Sequence, residues 1–322
     1  MLPIVQNMDI FPVQVPVPSS LKSVNFYLVK TGQSLILIDA GYNNGDCRKA
    51  LHDTLKKYGF GIKDLTHIVL THHHIDHVGL VNWITAEHPI PVYAHPLSFP
   101  RLKRDAAFLQ MRMAFYQKLY EEMGCGDRGK KQVEHLKKAM KENESQKITA
   151  DLVDIGERFG EYFEVLEVPG HAPDQIALYD RKQERLFAGD LLISHISSNA
   201  LVEPDENGKR MPSLLIHMVS LRKCLSLPID EVYSGHGTVI HQPKNLIQKR
   251  LDGMEKKAER FLTLIRNGKR TANEIAETYY QDVYDQQFSL VMSEVIGHLD
   301  YLERQGNIQK EKVHGVWHYT FS

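Results

Sequence analysis

The sequence predicts an α+β protein with two strand-rich stretches, a helical insertion between them and a small C-terminal domain. Three observations predict it. Strand-length apolar runs such as Leu35-Ile36-Leu37-Ile38 and Ile68-Val69-Leu70 recur over residues 1–97, and return from Phe163 to about residue 245, where polar or glycine-containing turns separate them. Residues 98–150 lose that character, and Phe108, Met111, Phe115, Leu119 and Met123 fall at helical spacing. From about residue 246 a long helix, a second amphipathic helix and a strand pair follow.

Each element has a local reason. Pro12, Pro16 and Pro18 mark an irregular N-terminal approach. Val24–Val29 and Leu35–Asp39 read as strands joined by Thr31-Gly32-Gln33. Residues 46–58 read as a helix with Asp46 as N-cap and Ala50, Leu51, Leu55 and Tyr58 on one face. Thr66–Leu70 reads as a buried strand and Val92–Ala94 as a short one, with His95 a polar residue at its end. In the insertion, Gly124-Cys125-Gly126-Asp127 breaks the first helix, and a second runs from about Lys131 to Glu144. Phe163–Val168 is strand-like, and a helix over about residues 212–227 feeds a strand ending near His236. His217, in an apolar run on that helix, reads as a satisfied buried histidine and not as a ligand.

The C-terminal domain, residues 246–322, opens with a helix carrying Met254, Ala258, Phe261, Leu262 and Ile265, which Asn267-Gly268 ends. Thr271 with Glu274 makes a capping box. Ser289–Arg304 is amphipathic, and Ile308–Lys312 and Val316–Phe321 flank His314-Gly315. Helix, helix, hairpin resembles a winged helix. Charge argues against nucleic acid: the stretch holds 11 basic and 11 acidic residues, and Glu294, Asp300 and Glu303 face only Arg304 on the helix that would enter a groove. Such binding draws on Lys and Arg against phosphates, so packing, dimerisation or pocket completion is the expected role.

Composition narrows the setting. The chain has 322 residues, 42% hydrophobic and 25% charged, with a net charge of −1, which offers no global attraction to nucleic acid or anionic membrane. Cys47, Cys125 and Cys224 are far apart and odd in number, the pattern of reduced thiols. The N-terminus lacks the pattern of a signal peptide, and no window reaches the ~18 apolar residues of a membrane span. A cytoplasmic enzyme is expected.

The chemistry concentrates in Thr71-His72-His73-His74-Ile75-Asp76-His77-Val78-Gly79, directly after a strand. Imidazole and carboxylate suit zinc, manganese or iron. Side chains alternate along an extended loop, so His72 and His74 share one side and His73 takes the other. Asp76 and His77 then turn toward a second metal.

This run resembles the signature of the metallo-β-lactamase superfamily. Three downstream segments and one upstream fit the same resemblance: His171 in Val168-Pro169-Gly170-His171, Asp190 in Ala188-Gly189-Asp190, His236 in Ser234-Gly235-His236-Gly237, and Asp39 after Leu35–Ile38. The resemblance covers about residues 20–245. It implies a four-layer αβ/βα sandwich over residues 1–245, with residues 98–150 inserted. It further implies that His72, His74 and His171 hold one divalent metal, that Asp76, His77 and His236 hold another, and that Asp190 bridges them. Zinc is the expected ion, with iron or manganese as alternatives. A hydroxide held between two dications is a nucleophile at neutral pH, and Asp76 is the candidate catalytic proton carrier.

The ligand set resembles that of hydroxyacylglutathione hydrolases, which points to thioester hydrolysis. The alternatives are a metal-dependent endoribonuclease, suggested by the winged-helix-like tail, and a lactonase. A non-hydrolytic iron dioxygenase fits less well, because relatives of that kind lose second-site ligands that this chain keeps. The insertion carries 12 basic and 7 acidic residues. It is therefore expected to wall the site and favour a small anionic substrate, with Lys130 and Lys131 as candidate steering charges. Its aromatic and Met stripe suits packing or a homodimer contact. His195, Ser197 and Asn199, after Asp190, are candidates for touching substrate.

Overall fold

The computed structural model describes residues 8–322. Strands β1 (Met8–Pro16), β2 (Ser23–Thr31), β3 (Ser34–Ile38), β4 (His67–Val69), β5 (Val92–Ala94) and β6 (Leu152–Asp154) form one six-stranded sheet in that order. Strands β7 (Arg158–Phe159), β8 (Phe163–Glu167), β9 (Ile176–Asp180), β10 (Arg185–Gly189), β11 (Glu231–Ser234) and β12 (Ile240–His241) form a second. A separate hairpin pairs β13 (Ile308–Val313) with β14 (Val316–Phe321).

Of Pro12, Pro16 and Pro18, the first two do not mark irregular chain, whereas Pro18 lies in the bend after β1. Pro12 and Pro16 lie within β1, which pairs with β2 from Met8 opposite Thr31 to Pro16 opposite Ser23. β1 is an edge strand, where a missing N–H can face away from the ladder.

Helices α1 (Gly45–Lys57), α2 (Ile75–Val78) and α3 (Val81–Glu87) follow in the first half. α1 is capped by Asn44, whose side chain accepts from the Cys47 amide, while Asp46 sits in the first turn. Asp46 is not the cap because it lies inside the helix, where its charge suits the dipole instead. The insertion supplies α4 (Phe99–Leu102), α5 (Ala106–Glu122) and α6 (Gly126–Glu142). α6 begins five residues earlier than Lys131, since the glycine break is one tight turn with Gly124 and Gly126 at φ 75 and 52. The rest of the chain adds α7 (Ser213–Leu225), α8 (Lys244–Arg266), α9 (Ala272–Tyr280), α10 (Asp282–Gln286) and α11 (Phe288–Arg304).

Three apolar cores explain the layers. Between the sheets, Tyr27, Val29, Ile36, Ile38 and Val69 meet Phe163, Ile176, Leu178, Phe187 and Tyr233. On the outer face of the first sheet, Leu28, Leu37 and Ile68 pack against Leu51 and Leu55 of α1 and Val81 and Ile84 of α3. On the outer face of the second, Tyr179, Leu186 and Val232 pack against Leu214, Met218 and Leu221 of α7 and Ile247 and Leu251 of α8. The order helix, sheet, sheet, helix is the four-layer αβ/βα sandwich. Strands β2 and β3 are buried on both faces, hence their continuous apolar runs.

A fourth core joins the insertion to the C-terminal elements. Tyr116, Leu119, Tyr120 and Met123, on and just after α5, pack with Phe261, Leu262 and Ile265 of α8, Ile275 of α9, and Val295 and Leu299 of α11. α8 spans two cores: its first half covers the second sheet and its second half enters this helical body. Polar contacts pin the join. Arg128 reaches Glu277 at 2.9 Å and Asp285 at 2.6 Å, and Lys312 reaches Glu122 at 2.7 Å. The helix, helix, hairpin order is present as α9, α11 and β13–β14, with short α10 intervening, and the capping box of Thr271 and Glu274 opens α9.

Candidate metal centre

Both sheets deliver their functional loops to one edge. β3 and β4 run parallel, so the loop after Ile38 and the loop after Val69 leave side by side. β10 and β11 also run parallel, which places the loops after Gly189 and Ser234 together. Hydrogen bonds stitch these edges across the sandwich. The Asn25 amide donates to Gly235 O at 2.7 Å, the Tyr27 hydroxyl to Ser234 O at 2.6 Å, and the Ile176 amide to Thr71 O at 2.9 Å.

All seven expected ligands come together there. The ring nitrogens of His72, His74 and His171 form one group, and Asp76, His77 and His236 form another. A third group of His72, His77 and Asp190 links them, with donor atoms in every group within 4.8 Å of one another. His72 Nε2 lies 2.9 Å from His74 Nδ1, and His171 Nε2 lies 3.0 Å from the same atom. Asp190 sits between the triads: Oδ1 is 3.3 Å from His77 Nε2, while Oδ2 is 3.1 Å from His236 Nε2 and 3.6 Å from His171 Nε2. Asp76 Oδ2 is 3.5 Å from His236 Nε2. His73 points away, to a 2.6 Å contact with the buried Asp174.

Outer hydrogen bonds fix the ring orientations. His77 Nδ1 contacts Asp39 Oδ2 at 2.7 Å, His171 Nδ1 donates to Asn199 O at 2.8 Å, and His236 Nδ1 donates to Ser23 O at 2.7 Å. A proton on Nδ1 leaves the Nε2 lone pair facing the cluster, the tautomer a metal needs. Asp39 does more than the sequence suggests. It adopts φ 60, beyond the end of β3, and also accepts from the amide and hydroxyl of Thr71, both at 2.8 Å. One buried carboxylate thereby fixes the strand end that starts the histidine run and one ring within it.

The electrostatics suit a cation. Burial pushes the pKa values of His72, His74 and His171 down, so these rings are neutral. Burial also opposes charge on His77, yet Asp39, Asp190 and Asp76 together hold its pKa well above the usual histidine value. Burial opposes ionisation of Asp190 too, but His77 and His236 hold it well below the carboxylate range. Three buried or half-buried carboxylates therefore converge on a site that demands positive charge. Among the described residues, His77 Nε2 and Asp190 Oδ1 are buried with no hydrogen-bond partner, an arrangement that costs stability without a ligand. Gly235 preserves the space: a Cβ there would come within 2.4 Å of Asp190 Oδ1 and 2.5 Å of His77 Cε1. The donor set fits divalent metal.

Other expectations fare differently. His95 caps the turn after β5, accepting from the Leu97 amide at 3.2 Å. His195 contacts Ser20 O at 2.8 Å, and Ser198 Oγ and Asn199 O both face His171 Nδ1. The segment after Asp190 thus orients a candidate ligand. His217 is buried but not satisfied, since its Nδ1 has no partner and burial lowers its pKa to about 3. Lys130 is exposed and pairs with Asp127 at 3.1 Å. Neither it nor Lys131 lines the cleft beside the histidines, where Arg101 and Arg104 stand instead. Tyr42 also lines that cleft, and its phenol is pushed up to about 12 by burial and by Asp76 and Asp190. No motif in the sequence signals Tyr42 or selects these two arginines from the insertion's twelve basic residues.

The family model of the metallo-beta-lactamase superfamily matches residues 20–236. The chain belongs to the metallo-beta-lactamase superfamily. Among relatives of this superfamily member is the "Probable metallo-hydrolase YqjP" of Bacillus subtilis, 34% identical over 304 residues that cover 92% of this chain and 93% of that protein. An atrochrysone carboxyl ACP thioesterase of Aspergillus fumigatus is 24% identical over 265 residues, covering 81% of this chain and 66% of that one. The crystal structure of the metallo-beta-lactamase family protein TTHA1429 from Thermus thermophilus superposes with a TM-score of 0.77 at 24% identity, over 97% of this chain and 98% of that one. The shared fold therefore includes the insertion and the C-terminal elements. Hydrolase chemistry agrees with the relatives' names. No helix among the described residues is long and apolar enough to cross a membrane.

Proposed function

We propose that this chain is a dinuclear metal-dependent hydrolase acting on a thioester of an anionic carrier. The observation that carries the reading is Asp190, buried between two triads and within 3.6 Å of a histidine from each. One triad, His72, His74 and His171, would hold the first ion, and Asp76, His77 and His236 the second, with Asp190 shared. Bound divalent ions, zinc by preference, would supply an activated water and Lewis-acid polarisation of the acyl carbonyl.

The chain's own residues do the rest. Asp39, Asn199 and Ser23 hold three imidazoles in the ligating tautomer. Asp76, its side chain 13% exposed, would carry a proton to the leaving thiolate. Ile75, between His74 and Asp76 in the chain and 52% exposed, offers an apolar surface to an acyl group. The thioester preference draws on the relative that is named a thioesterase and on the arginines beside the centre.

A turnover panel tests the proposal. Metal-loaded protein is offered acyl thioesters of coenzyme A and glutathione, lactones and single-stranded RNA. Thioesters are expected to give the highest kcat/KM, by at least about tenfold, a margin of roughly 1.4 kcal/mol in transition-state binding. A lactone or RNA at the top of the panel overturns the substrate assignment.

A further inference from the structure

The cleft beside the centre has a volume of about 380 Å³ and is lined in part by Tyr42, Asn44, His73, Ile75, Arg101 and Arg104. We propose that it is an anion-binding subsite in which Arg104 and Arg101 hold the phosphate or carboxylate of the thioester carrier. The proposal rests on the hydrolase reading for the identity of its ligand, and on the cleft itself for the binding.

Charge is the first argument. The lining holds two arginines and no Asp or Glu. Glu203, the carboxylate nearest Arg101, is already engaged by Arg112, whose Nε lies 2.8 Å from Oε2 and whose Nη2 contacts Oε1. Arg101 Nη2 also donates to Glu203 Oε2 at 3.4 Å, so one carboxylate is shared by two guanidinium groups and Arg104 carries the freer charge. Glu144 approaches Arg104 Nε at 3.6 Å, but its side chain is 69% exposed, so water screens it. The N-terminus of α1, capped by Asn44, opens on the same cleft and adds a partial positive charge.

Fixed placement of the guanidinium groups is the second. The Nε atoms of Arg101 and Arg104 are enclosed, with no hydrogen-bond partner among the described residues, so a ligand would meet the Nη groups. The side chain of Arg101 is only 7% exposed. Both guanidinium groups are held in place. Arg101 Nη1 donates to Leu97 O at 3.0 Å and its plane lies 4.5 Å from the Phe108 ring, while Arg104 Nη2 donates to Met140 O at 2.6 Å. A guanidinium charge held in place suits a phosphate or carboxylate.

Continuity is the third. Ile75 lines the cleft and stands between two candidate ligands in the chain, and Tyr42 lines it within electrostatic reach of Asp76 and Asp190. A carrier whose anionic end meets the arginines can run past Ile75 with its thioester toward the centre. The volume lies within the range of small-molecule sites, ~300–1,000 Å³.

Calorimetry on the full-length, metal-loaded protein tests this with two non-hydrolysable thioethers, S-ethyl-coenzyme A and S-ethylglutathione. Wild-type protein is expected to bind at least one of them. Arg104→Gln should weaken that binding by roughly tenfold or more, and Arg104→Lys should restore part of it. Tighter binding of the coenzyme A thioether assigns the subsite to phosphate, and tighter binding of the glutathione thioether assigns it to carboxylate. Failure of wild type to bind either ligand overturns the proposal. So does binding to Arg104→Gln within twofold of wild type, or a loss that Arg104→Lys does not reduce. Thioether binding that depends on Arg104, in a protein that turns over no thioester, leaves the subsite standing and removes the hydrolysis reading. Thioester turnover indifferent to Arg104 does the reverse.

Discussion

The metal centre and the helical body formed by α5, α8, α9 and α11 are both buried, yet opposite forces hold them. In the body, Phe261, Val295 and Leu299 are fully enclosed by other apolar side chains, and charged contacts such as Arg128 with Glu277 lie at its rim. In the centre, polar atoms face one another: the far nitrogens of His77, His171 and His236 are hydrogen-bonded, and the near atoms His77 Nε2 and Asp190 Oδ1 have no hydrogen-bond partner among the described residues. One region gains stability from burial, and the other retains unmet polarity that a cation would satisfy. The sandwich supplies the edge on which the second can exist, and the body braces the insertion that walls it.

Breaking the body should cost the most stability. Phe261→Ala is expected to destabilise the chain by about 3–5 kcal/mol, the usual range for an enclosed aromatic, with metal content unchanged in the protein that remains folded. Denaturant unfolding followed by circular dichroism measures it. A loss below about 1 kcal/mol would mean that this core does not support the chain.

Acid should act next, where the body meets the sandwich. Glu203 is buried, which opposes its ionisation, but Arg112 and Arg101 bring its pKa down to about 2. A carboxyl with a folded pKa below its unfolded value binds fewer protons when folded. Its contribution is complete above the unfolded value near 4.5 and is lost as pH falls from there toward 2. That contribution is roughly 3 kcal/mol. Unfolding free energy should therefore fall more steeply between pH 4.5 and 2 in wild type than in Glu203→Gln. Parallel pH profiles would remove Glu203 from the account.

Within the centre, Asp39→Asn keeps the shape of the side chain but weakens its hold on His77. Metal affinity should drop about 10–100-fold, read by competition with a chromophoric chelator, while the melting temperature of the metal-free protein moves little. An unchanged affinity would show that the strand end is fixed without this carboxylate. The smallest effect is expected from Lys130 and Lys131. Replacing both with Glu should change kcat/KM for an anionic thioester by less than about twofold, since they stand off the cleft and exposed charge is screened within ~8 Å. A loss confined to anionic substrates would restore them as steering charges.

The two regions also differ in how far the sequence exposes them. The candidate ligand set is legible because its seven His and Asp residues lie beside strand ends and glycines, a local pattern in each segment. The sandwich is legible through continuous apolar runs such as Leu35–Ile38. What escapes is non-local or carried by backbone. Asn199 O and Ser23 O orient two rings, and any residue type can supply a carbonyl. The left-handed turn at Asp39 becomes visible only with its partners Thr71 and His77. Nor can composition choose Arg101 and Arg104 over Lys130 and Lys131, because the choice depends on how α5 and α6 dock on the C-terminal helices. The stripe Phe115, Leu119 and Met123 packs, as its spacing predicts, but its partner in this chain is the body's own helices. Pro12 and Pro16 mislead because a breaker in isolation is acceptable on a sheet edge.

Metal stoichiometry tests the central claim most directly. Elemental analysis of folded, metal-saturated protein is expected to find two divalent ions per chain. His236→Ala should retain about one, and Asp190→Ala should weaken both. One ion or none per wild-type chain under saturating metal, with the fold intact, would contradict the dinuclear account.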